Sequence, residues 1–403
     1  MKNNYHIVIV GAGIVGLISA ALLGKSAYNN KYHIHVIDAE NQPNYKDDKE
    51  VSLRVSALSR GSIDILECLG VWQEIKEKRA YPYENMQVWD ASDVSDGMSA
   101  IDFKAMEFGL SELGFIVENN LIKTKLLNLI NTLDISMHYG SKITSVNRNQ
   151  ERNDIAIQFA DKQSIYADLL IGADGTNSFT RELFNIPLEK HDYAQSAFVV
   201  HVETEKHHMN TAWQRFLPEG PIALLPLGVN KASIVWTTTS EQIAINSKLN
   251  DKELNTLLSN YTDYVLGELK VISKQANFDL KYQHAKSYID KNFVLVGDAA
   301  HNIHPLAGQG LNLGIADAKC LVDTLNNALY KNEYIGDIIS LRPYERERKQ
   351  ANWTMLNFVD ILNKLFSIRS KLAESFRNFG MRLFNKSHYL KSRAIKTALG
   401  INF

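Results

Sequence analysis

The sequence predicts an α/β fold with a βαβ unit at its start, an antiparallel β-sheet domain and a helical C-terminal segment. A β-rich apolar run at Ile7–Val10 precedes a glycine-rich turn and a second β-rich run at 33–38, a pattern that indicates two parallel strands joined by a helix. Short alternating segments separated by turns fill 196–239 and predict an antiparallel sheet. Helical periodicity dominates from about residue 309 onwards.

The composition suits a chain of two domains. Its 403 residues are 45% hydrophobic, which is enough to bury one large core or two smaller ones. The formal net charge of -1 provides no broad basic field, so we expect no nucleic-acid partner. The only two cysteines, Cys68 and Cys320, lie far apart and fit neither a disulfide framework nor a zinc site. A reducing, cytoplasmic environment fits this cysteine content best.

The uncharged run from Ile7 to Gly24 is long enough to resemble a membrane span or a signal peptide. We reject both interpretations, because glycines at positions 11, 13 and 16 interrupt the run and its first residues are β-rich. A buried strand that turns into a helix accounts for the pattern.

The remaining elements follow from periodicity and turn signals. The sequence predicts strand 6–10, helix 14–26, strand 33–38, helical structure over 54–78, helix 120–133, strands 153–159 and 164–171, and strand 293–297.

The turn after the first strand has the GxGxxG pattern of a dinucleotide site. Gly11 permits a tight turn, Gly13 lets the backbone approach a pyrophosphate, and Gly16 permits close helix packing, with the helix N-terminus facing the anion. Asp38 ends the next strand, where a carboxylate can accept hydrogen bonds from ribose hydroxyls. The alternative is a glycine-rich turn without a ligand, and the pattern alone fits FAD and NAD equally well.

A second element lies near residue 300 and favours FAD, since a simple NAD-binding domain does not need it. The segment Gly297-Asp298-Ala299-Ala300-His301 follows an apolar strand and offers the Asp298 carboxylate to a polyol chain. Gly308 and Gly310 let backbone amides approach a flat ring at the start of a helix. The positive end of that helix would stabilise an anionic reduced flavin.

Together with Gly172-Ala173-Asp174-Gly175, Ser178 and Arg181, these motifs resemble the single-component flavoprotein aromatic hydroxylases. The resemblance implies a Rossmann-like FAD domain of the aromatic hydroxylase and glutathione reductase type. It implies that Asp298 binds the ribityl chain and that Asp174 lies near the pyrophosphate, although Asp174 could instead cap its own turn. The residues implied to line the isoalloxazine are Pro305, Gly308, Gly310, Leu311 and Asn312.

Further segments narrow the resemblance to the ubiquinone-biosynthesis ring hydroxylases. The segments that carry it are 54–59, 86–90, 114–119 and 304–310. Val88-Trp89-Asp90 and the segments 185–188 and 192–193 look most like the branch that hydroxylates C5 of a polyprenylphenol. Arg54 would contact the FAD, since a guanidinium suits a phosphate, and the alternative is a solvated surface arginine. Asp317 is retained, whereas Ala316 stands where many relatives carry arginine.

The implied reaction uses NAD(P)H to reduce FAD, after which O2 forms a flavin C4a-hydroperoxide that transfers oxygen to the ring. The sequence identifies no catalytic base. His201, Arg215 and Trp236 are candidates, but each has a structural interpretation as an interior residue. His301 and His304 could be read as metal ligands, but no further ligand completes a shell, so we expect no metal.

The division into domains follows from these assignments. The FAD domain takes 1–80, 100–182 and 284–345, the substrate domain takes 81–99 and 183–283, and the C-terminal helical segment takes 346–403. Beyond Glu374 the last segment has basic residues interleaved with apolar ones and no acidic residue, which suits peripheral contact with an anionic membrane. Docking to a quinone-biosynthesis complex is the alternative, as is plain packing on the FAD domain.

Two other functions remain open at this stage. Related folds with similar nucleotide motifs bind prenyl lipids, so the chain could be an oxygen-independent FAD-dependent reductase. It could also be a non-catalytic subunit that retains FAD and organises a biosynthetic complex, although the intact GDAAH and GQGLN segments argue against this.

Overall fold

The computed structural model describes residues 2, 4–42, 51–95, 97, 100–149, 151–302, 309–368 and 370–400. The strands are β1 (Tyr5–Val10), β2 (Tyr32–Ile37), β3 (Val55–Ser59), β4 (Ala80–Tyr83), β5 (Asn85–Asp90), β6 (Ile101–Lys104), β7 (Gly114–Glu118), β8 (Ile135–His138), β9 (Ile143–Asn149), β10 (Asp154–Phe159), β11 (Ser164–Ala167), β12 (Leu169–Gly172), β13 (Leu188–Thr204), β14 (Thr211–Leu217), β15 (Gly220–Pro226), β16 (Lys231–Thr239), β17 (Leu269–Val271), β18 (Ala276–Ala285), β19 (Ile289–Asp290), β20 (Phe293–Leu295) and β21 (His301–Asn302).

The α-helices are α1 (Ile14–Gly24), α2 (Arg60–Cys68), α3 (Trp72–Arg79), α4 (Asn119–Ile130), α5 (Phe179–Leu183), α6 (Ser240–Asn246), α7 (Asp251–Tyr261), α8 (Gly310–Tyr330), α9 (Ile338–Ser367), α10 (Lys371–Lys386) and α11 (His388–Leu399). Short 3-10 helices cover Asn29–Lys31, Ala105–Phe108 and Gly297–Ala299.

The first sheet confirms the predicted βαβ unit. Its strand order is β19-β20-β12-β1-β2-β8, and β1 pairs in parallel with β12 and with β2. Val10 at the end of β1 lies opposite Gly172 and Ile37, so three strand ends meet at one edge. The central strands are buried on both faces, as parallel strands require. In the described part of the chain, no helix is long and apolar enough to cross a membrane.

The segment 54–78, predicted to be helical throughout, starts as a strand. Residues 55–59 form β3, which pairs antiparallel with β7, and Leu58 lies opposite Phe115. The helix begins only at Arg60, where the Ser59 hydroxyl caps it by accepting from the Ser62 amide. The partner strand decides the outcome, because apolar residues at Ala57 and Leu58 fit a helix face and a strand equally well.

The single strand predicted over 164–171 is two strands that belong to different sheets. β11 pairs with β10, which pairs with β9, whereas β12 enters the parallel sheet. The break falls at Asp168, whose buried carboxylate accepts hydrogen bonds from the His6 amide and the Tyr334 hydroxyl. These hydrogen bonds fix Asp168 at the point where the chain leaves one sheet and enters the next.

A nine-stranded sheet forms the second half of the molecule, with the path β21-β18-β13-β16-β15-β14-β5-β6 and β17 paired to β13. All its pairs are antiparallel except β14 with β5. β6 joins this sheet through β5, so the sheet continues past residue 99, where the substrate segment was predicted to end. Helices α6 and α7 cover the face that carries Trp236, and helices α9 and α10 pack on the opposite face near Phe216.

Candidate functional site

Gly11 and Gly16 are required by close contacts within the protein. Gly11 has a φ of 107°, and a Cβ there would lie 2.3 Å from the Ala173 carbonyl oxygen. A Cβ on Gly16 would lie 2.0 Å from the Gly11 carbonyl oxygen. These approaches press the turn between β1 and α1 against the loop after β12, so neither position tolerates a side chain.

Gly13 is different, because a Cβ there would meet no described protein atom within 4 Å. The residue is the N-cap of α1, and no side chain caps that helix. The first amides of α1 therefore have no side-chain acceptor, and the backbone around Gly13 can be approached closely. This arrangement fits a pyrophosphate, which needs both features.

Asp38 follows β2 at the same sheet edge. Its Oδ2 accepts a hydrogen bond from the Ala12 amide at 2.8 Å, and its Oδ1 accepts from the Glu40 amide at 2.9 Å. The carboxylate is thereby fixed beside the glycine turn. Each oxygen keeps a second lone pair for a hydroxyl donor, so ribose binding by Asp38 stays a prediction that the geometry permits.

Asp174 caps its own turn. Its Oδ1 accepts from the Ser178 hydroxyl at 2.6 Å and from the Thr180 hydroxyl at 2.9 Å, and its Oδ2 accepts from the Thr180 amide. The capping interpretation raised from the sequence thus describes what this carboxylate does. Its position near a pyrophosphate remains a prediction, and its role there would be to shape the loop that follows β12.

The second glycine-rich element meets the first through one side chain, Val15 of α1. A Cβ on Gly314 of α8 would lie 2.7 Å from Val15, and a Cβ on Gly297 would lie 3.2 Å from it. Gly297 has a φ of 59°, a backbone conformation that favours glycine. The starts of α1 and α8 and the 3-10 helix at 297–299 therefore converge at one place.

Asp298 lies in a recess at this junction. Its side chain has exposed surface, yet burial raises its pKa, while the nearby charges of His301 and Arg54 oppose that shift. A group with both properties lies in a concave part of the surface, surrounded by protein and open on one side. No described residue donates a hydrogen bond to this carboxylate, so it is available to the hydroxyls of a polyol.

Arg54 bridges the two halves of the molecule. Its guanidinium lies over the ring of Phe278 on β18, 5.0 Å from the ring centroid, which is within the range of a cation–π interaction. Phe278 pairs with Ala197, which in turn pairs with Thr237, so these three residues share one face of the large sheet. Arg54 is exposed, and it is positioned between Asp298 and that sheet face, where its contact with the FAD stays a prediction.

The residues predicted to line the flavin ring divide into three groups. Pro305 and Gly308 lie outside the described residues. Gly310 starts α8, where a Cβ would meet no described atom within 4 Å, and Leu311 packs beside the core. The Asn312 side chain is used within the protein: it accepts from the Ser59 amide and the Ser62 hydroxyl and donates to the Ala57 carbonyl.

Comparison with known proteins decides the family. The "FAD binding domain" family model matches residues 4–359. 3-Demethoxyubiquinol 3-hydroxylase of Escherichia coli (strain K12) is 32% identical over 397 residues, which cover 98% of both chains. Ubiquinone biosynthesis monooxygenase COQ6 of Danio rerio is 32% identical over 98% of this chain and 89% of that one. The chain belongs to the ubiquinone-biosynthesis FAD hydroxylase family.

It is accordingly an FAD-dependent monooxygenase, and NAD(P)H is the typical reductant of the family. Solved structures agree on the fold. PqsL, a probable FAD-dependent monooxygenase from Pseudomonas aeruginosa, has a TM-score of 0.75 at 21% identity and covers 94% of this chain and 99% of its own. p-Nitrophenol 4-monooxygenase PnpA from Pseudomonas putida has a TM-score of 0.77 at 15% identity, with full coverage of both chains.

The monooxygenase has a buried polar centre beneath the 297–299 turn that the sequence did not predict. The Asp317 carboxylate accepts from the Gly297 amide and His301 Nε2 with one oxygen, and from Arg348 Nε and Asn352 Nδ2 with the other. Burial alone would raise the pKa of Asp317, but His301 and Arg348 hold it well below its usual range. The sequence feature that could have indicated this centre is Asp317, an aspartate between apolar residues of α8.

The candidate bases are all interior residues. Trp236 belongs to the core between the large sheet and α7, and Arg215 donates to the carbonyls of Asn260 and Tyr261. Burial lowers the pKa of His201 to about 4, so its imidazole is neutral at physiological pH. No catalytic base is assigned to this monooxygenase.

Proposed function

We propose that this monooxygenase hydroxylates the aromatic ring of a polyprenylated phenol at C5 during ubiquinone biosynthesis. The supporting observation is the similarity to ubiquinone-biosynthesis hydroxylases along 98% of the chain, combined with the match to the FAD binding domain family over residues 4–359. The ring position rests on the likeness of segments such as Val88-Trp89-Asp90 to the C5 branch. The protein would act in the cytoplasm.

The bound FAD would supply the oxygen-transfer chemistry, through reduction by NAD(P)H and a C4a-hydroperoxide. The protein's own residues would place the cofactor. The backbone at Gly13 and the start of α1 would hold the pyrophosphate, and Asp298 would accept hydrogen bonds from the ribityl hydroxyls. The uncapped start of α8 would direct its positive end towards the ring.

The substrate ring would lie on the face of the large sheet that Arg54 reaches. Phe278, Ala197 and Thr237 stand side by side on that face and provide an apolar wall with one hydroxyl. Such a wall orients a flat ring and keeps water away from it, both of which an oxygen transfer requires.

A second ring position is favoured by one observation. The Escherichia coli relative, whose name places its reaction at position 3 of demethoxyubiquinol, matches this chain over 98% of both lengths. The alternative is therefore 3-hydroxylation of a demethoxyubiquinol rather than C5 hydroxylation of an earlier phenol. The two reactions act on substrates that differ in the oxygens already present on the ring.

Mass spectrometry of quinone intermediates in a deletion strain separates these reactions. C5 hydroxylation predicts accumulation of a polyprenylphenol that lacks the C5 oxygen, and the alternative predicts a demethoxyubiquinol. Purified protein incubated with the accumulated compound, NAD(P)H and labelled oxygen should place one labelled atom on the ring. A product without label would indicate the oxygen-independent reductase. If no prenylphenol supported NAD(P)H oxidation, alone or with partner proteins, the chain would be a non-catalytic subunit.

A further inference from the structure

Two C-terminal helices present a continuous series of large apolar side chains to solvent. On α9 and at its end these follow one another at helical spacing, and α10 repeats the pattern. We name these residues the apolar ridge: Phe358, Ile361, Leu365, Ile368, Leu372, Phe376, Phe379 and Leu383. Each is at least 40% exposed, and Phe376 is 75% exposed. A helix of a soluble protein normally directs such a stripe inwards.

Buried polar contacts fix the orientation of α10. Arg377 is 6% exposed and its Nε donates to the Asp90 carboxylate of β5 at 3.0 Å. Its Nη1 donates to the carbonyl oxygens of Leu365 and Ile368, which closes the end of α9. Turning α10 inwards would bury its four ridge side chains only by removing Arg377 from its counter-ion. The cost of leaving Asp90 unpaired opposes that rotation.

The inner face of α10 makes further polar contacts beyond Arg377. The Asn385 side chain accepts from the Asp102 amide and donates to the Ala100 carbonyl. Asn378 Nδ2 donates to the Ser92 hydroxyl. Helix α10 therefore faces the protein with hydrogen-bonding groups beside the buried Met381, while four large apolar side chains of the ridge face outwards.

Helix α9 is apolar on both sides over the same stretch. Its inner side packs on the large sheet, where Phe366 stacks on Phe216 at 3.9 Å between centroids and Leu356 and Val359 are buried. Its outer side carries the first half of the apolar ridge. A single helix therefore lies between the substrate half of the molecule and whatever covers the ridge.

The size and charge of this surface identify its occupant. Eight such side chains expose on the order of 800 Å², given roughly 150–250 Å² for a large side chain, whereas the largest apolar patch of a soluble monomer is about 300–600 Å². Residues 361–400 contain nine lysines and arginines and a single acidic residue, Glu374. Two of these cations, Arg377 and Lys391, are buried in ion pairs with Asp90 and Glu107, and the other seven leave the segment with a net positive charge. Apolar side chains flanked by cations match the interface of an anionic bilayer.

We propose that the apolar ridge inserts into the surface of an anionic lipid bilayer, with α9 and α10 lying in the membrane plane. The proposal goes beyond the reaction and does not depend on it, because the surface would bind lipid whatever ring carbon is oxidised. It deepens the proposed function in one respect. A polyprenyl chain resides in the bilayer, and α9 would place the substrate half of the enzyme against that reservoir.

Vesicle sedimentation of the FAD-loaded enzyme tests the proposal. The probes are vesicles of phosphatidylethanolamine with phosphatidylglycerol, compared with neutral phosphatidylcholine. Wild-type enzyme should pellet with the anionic vesicles and at least tenfold less with the neutral ones. The Phe376→Gln/Phe379→Gln variant should stay in the supernatant. Ile339→Gln provides the matched control, since Ile339 is 81% exposed on α9 but lies outside the ridge.

Three results would overturn the proposal. One is wild-type enzyme that does not pellet with either vesicle. Another is a wild-type dimer that the Phe376→Gln/Phe379→Gln variant converts to a monomer, which would make a second copy of the chain the occupant. A third is equal pelleting of the variant and wild type. Retained FAD absorbance in the variant shows that it is folded, and NAD(P)H oxidation with a short-chain, water-soluble phenol reports on the reaction separately.

Discussion

The carboxylate of Asp317 on α8 accepts a hydrogen bond from the backbone amide of Gly297 at 3.1 Å. This contact joins α8 to the 297–299 turn, which contains Asp298. The same carboxylate holds Arg348 and Asn352 of α9, the helix that carries the apolar ridge. One buried charge therefore fixes the position of the 297–299 turn relative to α9.

Removing that charge should destabilise the protein strongly. Asp317→Asn keeps the shape of the side chain but leaves Arg348 buried without a counter-ion, which costs about 3–5 kcal/mol of unfolding free energy. Denaturant unfolding followed by fluorescence measures the change. Lys319→Ala, which breaks an exposed pair with Asp323 on the same helix, should cost less than about 1 kcal/mol. Equal losses in the two variants would show that the buried centre is not a stability determinant.

Asp298→Ala should have opposite effects on stability and on cofactor binding. The folded-state pKa of Asp298 is raised, so the folded protein holds the proton more tightly than the unfolded chain, and ionisation at neutral pH destabilises the fold. The FAD-free variant should therefore melt at a higher temperature than FAD-free wild type at pH 7, and the gain should vanish in acid. A variant that melts lower would contradict this sign.

Loss of the Asp298 carboxylate should weaken FAD binding at the same time. A hydrogen bond to a charged group contributes roughly 1.5–3 kcal/mol, which corresponds to a factor of about 10–150 in the dissociation constant. The dissociation constant is measured by titrating the FAD-free protein with FAD and recording the quenching of flavin fluorescence. Unchanged affinity would remove Asp298 from the cofactor site.

The two kinds of glycine in the N-terminal turn should respond differently to alanine. Gly13→Ala should fold with a stability within about 1 kcal/mol of wild type, because its Cβ meets no described protein atom, but it should bind FAD weakly. Gly16→Ala should fail to fold or lose several kcal/mol, since its Cβ would lie 2.0 Å from a carbonyl oxygen. Circular dichroism and FAD titration separate the two outcomes. Tight FAD binding by Gly13→Ala would contradict the assignment of this turn.

Sequence patterns predicted the elements whose signal is local. The glycines of the first turn and the buried strands of the parallel sheet are examples, because their requirements lie within a few residues. Leu58 shows the limit of local patterns. The residues around it fit a helix, but the segment forms a strand because it pairs with β7, which is distant in the sequence. Asp174 shows a second limit, since one residue type serves both as a ligand and as a cap.

The polar centre beneath the 297–299 turn could not be predicted from the sequence. Asp317 was noticed as a retained residue, but its partners lie 16 to 35 positions away along the chain. His301, which the sequence offered as a possible metal ligand, contacts Asp317 instead. Likewise, the contact between Arg54 and Phe278 depends on how the large sheet meets the FAD half, which no local pattern encodes.

Stability should fall in mild acid because buried histidines must take up protons on unfolding. Burial lowers the pKa of both His201 and His284 to about 4, so the unfolded chain binds more protons below its own pKa near 6.5. Each histidine should reduce the unfolding free energy by roughly 1 kcal/mol per pH unit between pH 6.5 and 4. Urea unfolding at pH 7, 6 and 5 should show this fall in the unfolding free energy. In His201→Gln the fall should be smaller, because one proton fewer is taken up on unfolding. His191→Gln, at an exposed site, should leave it unchanged.

The order of strands in the parallel sheet has a consequence during synthesis. β12 ends at Gly172, but its outer neighbour β20 begins only at Phe293, after every strand of the large sheet except β21 has been made. At roughly 5–20 residues per second, the ribosome needs about 6–24 s to deliver that strand. Over this interval the apolar edge of β12 has no partner strand, which makes the nascent chain a substrate for chaperones that shield exposed strand edges.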